Sequence, residues 1–121
     1  MTELQTLNRI EQLLRTYTKT VLQATVLTDL AGTTSATPNQ KTLLVAENPK
    51  RVKLFIQNPS SSTEPLLIEF EDKDNNPLEF ELANGREFNL DIANLYMYTG
   101  PVYIKSAASS IPYYAFEVER L

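Results

Sequence analysis

Apolar residues in the first segment of the chain fall at Leu7, Ile10, Leu14, Tyr17, Val21 and Ala24, a 3-4-3-4-3 spacing. These are the a and d positions of a heptad. No Pro or Gly interrupts residues 2–28, so the pattern predicts an amphipathic helix carrying one apolar seam. Thr2 and Gln5 stand in the capping-box arrangement, in which each satisfies an amide group that a helix start leaves unpaired. Leu4, Leu13 and Leu27 widen the stripe, while Thr16, Thr18, Thr20, Thr25 and Thr28 weaken the later turns. The helix is expected within residues 1–30. Residues 31–40, AGTTSATPNQ, are small, uncharged and broken by Gly and Pro, and read as a linker.

From Lys41 the period changes to two. Short apolar or alternating runs occupy residues 43–45, 52–56, 66–70, 78–82, 87–90, 102–104 and 113–118. Turn-forming clusters separate them, among them Asn48-Pro49-Lys50, Asn58-Pro59-Ser60, Asp72 to Pro77, Asn84-Gly85 and Gly100-Pro101. The prediction is a mainly β domain over residues 41–121: an antiparallel β-sandwich of seven to eight strands, preceded by one N-terminal α-helix. One hairpin can be placed by register. A two-residue Asn84-Gly85 loop would send Phe80 and Leu82 to the opposite face from Phe88 and Leu90. A three-residue loop of Ala83-Asn84-Gly85 pairs Leu82 with Arg86 and sets Phe80 opposite Phe88, so that loop is expected.

Composition narrows function by what is missing. The chain of 121 residues has no Cys, His or Trp, which removes His- and Cys-based catalytic triads, zinc fingers and disulfides. With 11 Lys and Arg against 15 Asp and Glu, the net charge of −4 argues against a dedicated nucleic-acid surface. No stretch approaches a membrane span in length, and no signal peptide is expected at the start. No enzymatic activity, cofactor, nucleic-acid partner or membrane partner is expected, because no nucleophile–base pair stands out.

The charged motifs have ordinary readings. Asp72-Lys73-Asp74-Asn75-Asn76 opens like a calcium loop, but Pro77 stands where that loop needs Gly and Ala83 where it needs Glu, which leaves a polar turn. Glu69, Glu71, Glu79 and Glu81 occupy the polar phase of alternating strands and read as a solvated face rather than paired catalytic acids. Lys50, Arg51 and Lys53 form the basic cluster of the chain and read as exposed charge at a turn.

Two features point to association instead. The seam of Leu7, Ile10, Leu14, Tyr17 and Val21 is the candidate oligomer interface. Its rival is a helix that folds back onto its own sandwich. Tyr96, Tyr98, Tyr113 and Tyr114 are candidate partner-binding residues, with core filling as the equal alternative for the group. Neighbours such as Tyr113 and Tyr114 point to opposite faces of a strand, so one of that pair should be exposed.

The run Leu44 to Asn58, LVAENPKRVKLFIQN, resembles a phrase common in small structural proteins of tailed bacteriophages, in which an Asn-Pro-x-Arg turn joins two strands that open a β-sandwich. Thr99-Gly100-Pro101-Val102-Tyr103-Ile104-Lys105-Ser106 resembles the Gly-Pro strand near the end of the same proteins. The resemblance spans roughly residues 43 to 118 and rests on strand and turn patterns. It implies a non-enzymatic virion protein, most like the capsid decoration (cement) proteins that sit as trimers on the head. The expected partners are further copies of the chain, in a homo-oligomer and specifically a trimer, and the major capsid protein or another virion protein. Its expected location is the virion. A neck, tail or baseplate adaptor is the alternative within the same context; a carbohydrate-binding module with exposed Tyr is one from another class.

Overall fold

The computed structural model describes residues 2–12, 25–91 and 97–121. Residues 3–12 are helical and form α1. The capping box is in place: the Gln5 amide donates to Thr2 Oγ1 at 3.2 Å and the Thr2 amide donates to Gln5 Oε1 at 3.0 Å.

Nine strands follow: β1 (Thr25–Asp29), β2 (Gly32–Thr33), β3 (Thr42–Val45), β4 (Arg51–Gln57), β5 (Leu66–Glu71), β6 (Pro77–Leu82), β7 (Glu87–Asp91), β8 (Val102–Lys105) and β9 (Pro112–Arg120). The seven strands expected downstream of Lys41 are β3 to β9. The expected helix does not run through Thr28, however, because Thr25–Asp29 pairs along β9. Thr, Val and Thr are β-branched, and pairing with a long neighbour outweighs their weak helical register. Nor are residues 31–40 a free linker. Gly32 and Thr33 pair with Tyr113 and Pro112. Thr34 is buried, and it exchanges bonds with Ile111 through its amide and its hydroxyl, both at 2.9 Å. The part of the expected helix over residues 13–24 lies outside the described residues.

The strands form two antiparallel sheets, one ordered β1-β9-β4-β7 with β2 also on β9, the other ordered β3-β8-β5-β6. Leaving β2 aside, first pairs with last, second with second-last, and so inward to the β5–β6 hairpin. Nested pairing of this kind is the jelly-roll form of the sandwich. Leu54, Ile56, Tyr113 and Ala115 from one sheet meet Leu66, Ile68, Leu82, Val102 and Ile104 from the other in a single buried cluster. Alternation explains the layering, since one side of each of β3 to β9 lies in or against this cluster and the other faces out.

The expected β6–β7 hairpin is corrected. β6 pairs with β5 and β7 pairs with β4, so Ala83-Asn84-Gly85 crosses between sheets. Gly85 does take φ +74°, and the Arg86 amide closes the turn on the Ala83 carbonyl at 3.0 Å, a type II arrangement that favours Gly at this position. Phe80 and Phe88 do meet, with centroids 4.9 Å apart, but across the interior from opposite sheets.

Candidate functional site

The Asn-Pro-x-Arg turn is a structural clamp. Asn48 uses its side-chain oxygen to accept the Lys50 amide at 3.0 Å, and the Arg51 amide bonds back to the Asn48 carbonyl at 3.0 Å. Arg51 is buried, with 1% of its surface exposed, which corrects the expectation of exposed charge. Its Nε donates to Glu117 Oε2 at 2.7 Å, its Nη1 to the carbonyls of Tyr98 and Gly100 at 3.0 and 2.9 Å, and its Nη2 to the Ala46 carbonyl at 2.9 Å. Asn48 Nδ2 adds bonds of 3.1 Å to both Glu117 and Glu119. A planar guanidinium can hold a carboxylate and three carbonyls at fixed angles, which Lys could not.

This clamp positions loop 97–101. Within the loop, the Tyr98 hydroxyl donates to the Pro101 carbonyl at 2.7 Å and accepts the Glu71 amide at 3.1 Å. Its phenol pKa is pushed upward, chiefly by burial. A Cβ on Gly100 would sit 2.5 Å from that hydroxyl oxygen, so the Gly-Pro pair lets the chain pass under the ring. A second polar node lies at the far end of β4. Asn58 is fully buried, and its Nδ2 donates to the carbonyls of Glu64 and Leu82 at 3.0 and 2.9 Å.

Beside Tyr98 the sandwich interior opens in a cleft of about 570 Å³. Phe70, Leu78, Leu90 and Met97 supply apolar walls, and Glu71, Asp72 and Lys73 a charged lip. Asp72 is committed to its own turn. It accepts the amides of Asp74 and Asn76 at 2.8 and 2.9 Å, and these bonds, that of Asn76 foremost, hold its carboxyl below the usual range. Among the described residues no group of three metal-ligating side chains could hold an ion, and the calcium-loop opening is a polar turn. The glutamates lie on the outer face of the four-stranded sheet, where Glu69 pairs with Lys41 at 2.8 Å and Glu79 with Lys105 at 3.0 Å. The Lys41 ammonium pKa is raised, first by that bond to Glu69.

The candidate association residues separate into groups. Leu7 and Ile10 are exposed on α1 at 63% and 49%, with Leu4 beside them at 68%. Leu14, Tyr17, Val21 and Tyr96 lie outside the described residues. Tyr113 is buried in the core beneath Gly32, and its phenol pKa is raised by that burial, so its ring is held inside the chain. Tyr114 is 58% exposed, and Tyr98 is half-buried at the cleft. The structure therefore brings Tyr98, Tyr113 and Tyr114 into three different surroundings rather than one site. The reading of the residues missed the clamp. One signal was available: Glu117 follows Tyr113 and Ala115 in the inward phase of β9, and an inward acid requires a cationic partner.

No protein-family model matches the sequence, and no curated protein does. The solved structures to which the chain shows a likeness include the following two. One comes from work titled "Bacillus endospore appendages form a novel family of disulfide-linked pili", at 13% identity and a TM-score of 0.48, covering 79% of this chain and 85% of that one. The other is the SPBc2 prophage-derived protein YomS, at 11% identity and a TM-score of 0.42, covering 78% and 91%.

Proposed function

We propose that the protein is a non-enzymatic structural component of a phage particle, a decoration protein that works on the head as a homo-oligomer, specifically a trimer. One observation carries this reading. The sandwich assembles its core from its own strands, while Leu4, Leu7 and Ile10 of α1 have no cover among the described residues. Burying an apolar side chain of this size is worth about 1.5–3 kcal/mol, so three on one stripe favour association. A lone helix with a seam of this size is marginal in water, and the sandwich must contribute to the contact. The phage context rests on the resemblance of the Asn-Pro-x-Arg and Gly-Pro phrases. Arg51 and Gly100 of those two phrases meet in one clamp, at 2.9 Å. The fold alone selects no function, since jelly rolls serve in capsids, lectins and enzymes alike.

The test has two stages. Light scattering of the full chain should give three times 13.7 kDa; a monomer would end the oligomer reading. Co-sedimentation with preassembled heads lacking decoration should then retain the protein. Retention on tails or baseplates instead would select the adaptor role.

A further inference from the structure

A single asparagine of the chain precedes glycine, Asn84 before Gly85. In such a pair the glycine amide nitrogen can attack the asparagine side-chain carbon, Cγ, because no side chain on Gly shields it. Asn48, Asn58 and Asn76 each precede Pro, whose nitrogen has no hydrogen to give up, so they cannot react this way. The other asparagines precede larger residues.

Asn84 and Gly85 lie at the surface, where water and base reach them, yet the fold withholds each group that the reaction needs. The Gly85 amide donates to the Asn58 carbonyl at 2.8 Å, so its nitrogen keeps its proton. Asn84 Nδ2 donates to the Ser62 carbonyl at 2.6 Å, which fixes the side-chain amide in place. Asn84 is also the first central residue of the turn closed by Arg86 on Ala83, where a type II turn sets ψ at about +120° and aims the next nitrogen away from Cγ. Asn58 ties this crossover down. It is fully buried, its amide donates to the Arg86 carbonyl at 3.0 Å, and its Nδ2 donates to the Leu82 and Glu64 carbonyls at 2.9 and 3.0 Å. Nδ2 also lies 3.5 Å from Asn84 Oδ1, at the outer limit of a hydrogen bond. Gly85 rests against the same strap: a Cβ on it would stand 3.5 Å from Ser60 Cβ.

We propose that Asn84-Gly85 is a deamidation site, which the folded crossover keeps latent and which converts when the strap of residues 58–64 lifts from it. In the open state the Gly85 nitrogen loses its proton to solvent base and bonds to Asn84 Cγ. The Cγ–Nδ2 bond breaks, and Nδ2 takes a proton from solvent and leaves as ammonia. Water then adds to one carbonyl of the succinimide ring. Opening the ring at the main-chain carbonyl gives isoaspartate, with the main chain running through the former side chain; opening it at Cγ gives aspartate. Either product has a carboxylate where the amide donor stood, so the bond to the Ser62 carbonyl cannot re-form. Each conversion records an opening and weakens the closed state that follows.

The test holds the full-length chain in mildly alkaline buffer and follows Asn84 by peptide mapping with mass spectrometry, beside the same chain unfolded in guanidinium chloride. Amide exchange at Gly85 is measured in the same buffer. Where reclosing outpaces chemistry, both rates scale with one open fraction. Folding should therefore slow deamidation at Asn84 by the factor by which it slows exchange at Gly85. Asn58→Ala leaves two carbonyls without their donor and should raise the Asn84 rate about tenfold while the β signal in circular dichroism is kept. Deamidation as fast in the folded chain as in the unfolded one would overturn the inference, as would an Asn84 that stays unconverted while Gly85 exchanges freely. Conversion that proceeds only when the β4–β9 ladder also exchanges would place the gate in global unfolding and defeat it too. If Asn58→Ala does not fold, low guanidinium chloride on the unmodified chain takes its place. Exchange at Gly85 and conversion of Asn84 should then rise in step, and conversion that stays flat while exchange climbs sinks the proposal.

Discussion

The Arg51 clamp and the α1 helix solve opposite problems. At the clamp, a charge is taken out of water and every group around it is answered: Arg51 meets Glu117, and the carbonyls of Ala46, Tyr98 and Gly100. On the helix, apolar groups are left in water, and the bonds of the first turn stay within Thr2, Gln5 and Thr6. A buried ion pair is a poor source of net stability, but its geometry is exacting, so it fixes which loop sits against which strand. Exposed leucines contribute nothing to the chain that carries them until another surface arrives. The first region specifies the fold, and under the proposed function the second is the one that takes part in assembly.

That contrast breaks most visibly at Arg51. Arg51→Ala leaves Glu117 buried without its cation and three carbonyls without a donor, and should cost about 3–5 kcal/mol in equilibrium denaturation. Arg51→Lys should recover little of it, because an ammonium cannot span the same fork. A loss below about 1 kcal/mol for Arg51→Ala would mean that the clamp is decorative and the contrast mistaken.

Next in size is Asn58, the second buried polar node. Asn58→Ala removes the donor to the Glu64 and Leu82 carbonyls and should cost about 1–3 kcal/mol. Its effect should add to that of a helix substitution, since sites without shared partners are independent.

How much of this was legible follows from what each element depends on. β3 to β9 were readable because each combines inward alternation with a turn cluster at its ends. β1 was not, because four of its five residues are exposed and its identity comes from pairing with β9. Pairing order was hidden for a related reason. Requiring Phe80 and Phe88 to share a core is met equally by neighbours in one sheet and by opposite sheets, and the chain takes the second route. Arg51 looked like one more charge in a Lys-rich turn. Asn58 continues the inward phase of Leu54 and Ile56, and Glu117 that of Tyr113 and Ala115, so polar residues at core positions were the missed signal. Spacing alone placed Leu7 and Ile10 on one stripe of a helix, but not whether that stripe is covered; their exposure comes from the structure.

A smaller effect separates the loops near the cleft from the clamp. Asp72 has its pKa lowered by the amides of its own turn, so its contribution is fully present above the ordinary aspartate value near about 3.9. It is lost as pH falls through the lower folded value. Amide exchange at Asp74 and Asn76 should accelerate in that acid window while the β4–β9 ladder stays protected. If both accelerate together, the turn is not a separate unit and the clamp extends to it.

The smallest stability effect belongs to the helix, and it is the most informative. Leu7→Asp with Ile10→Asp replaces two exposed side chains whose removal creates no cavity in the sandwich. Under conditions where the chain is monomeric by dilution, the unfolding free energy of the sandwich should change by no more than about 0.5 kcal/mol per site, the range of ordinary surface substitutions. At higher concentration the unmodified chain should gain apparent stability from mass action and the variant should not. Concentration dependence is therefore the observable, rather than the midpoint at one concentration. A variant that loses several kcal/mol even when dilute would show α1 packed on its own domain. The division between a region that sets the fold and a region that awaits a partner would then fail at its second half.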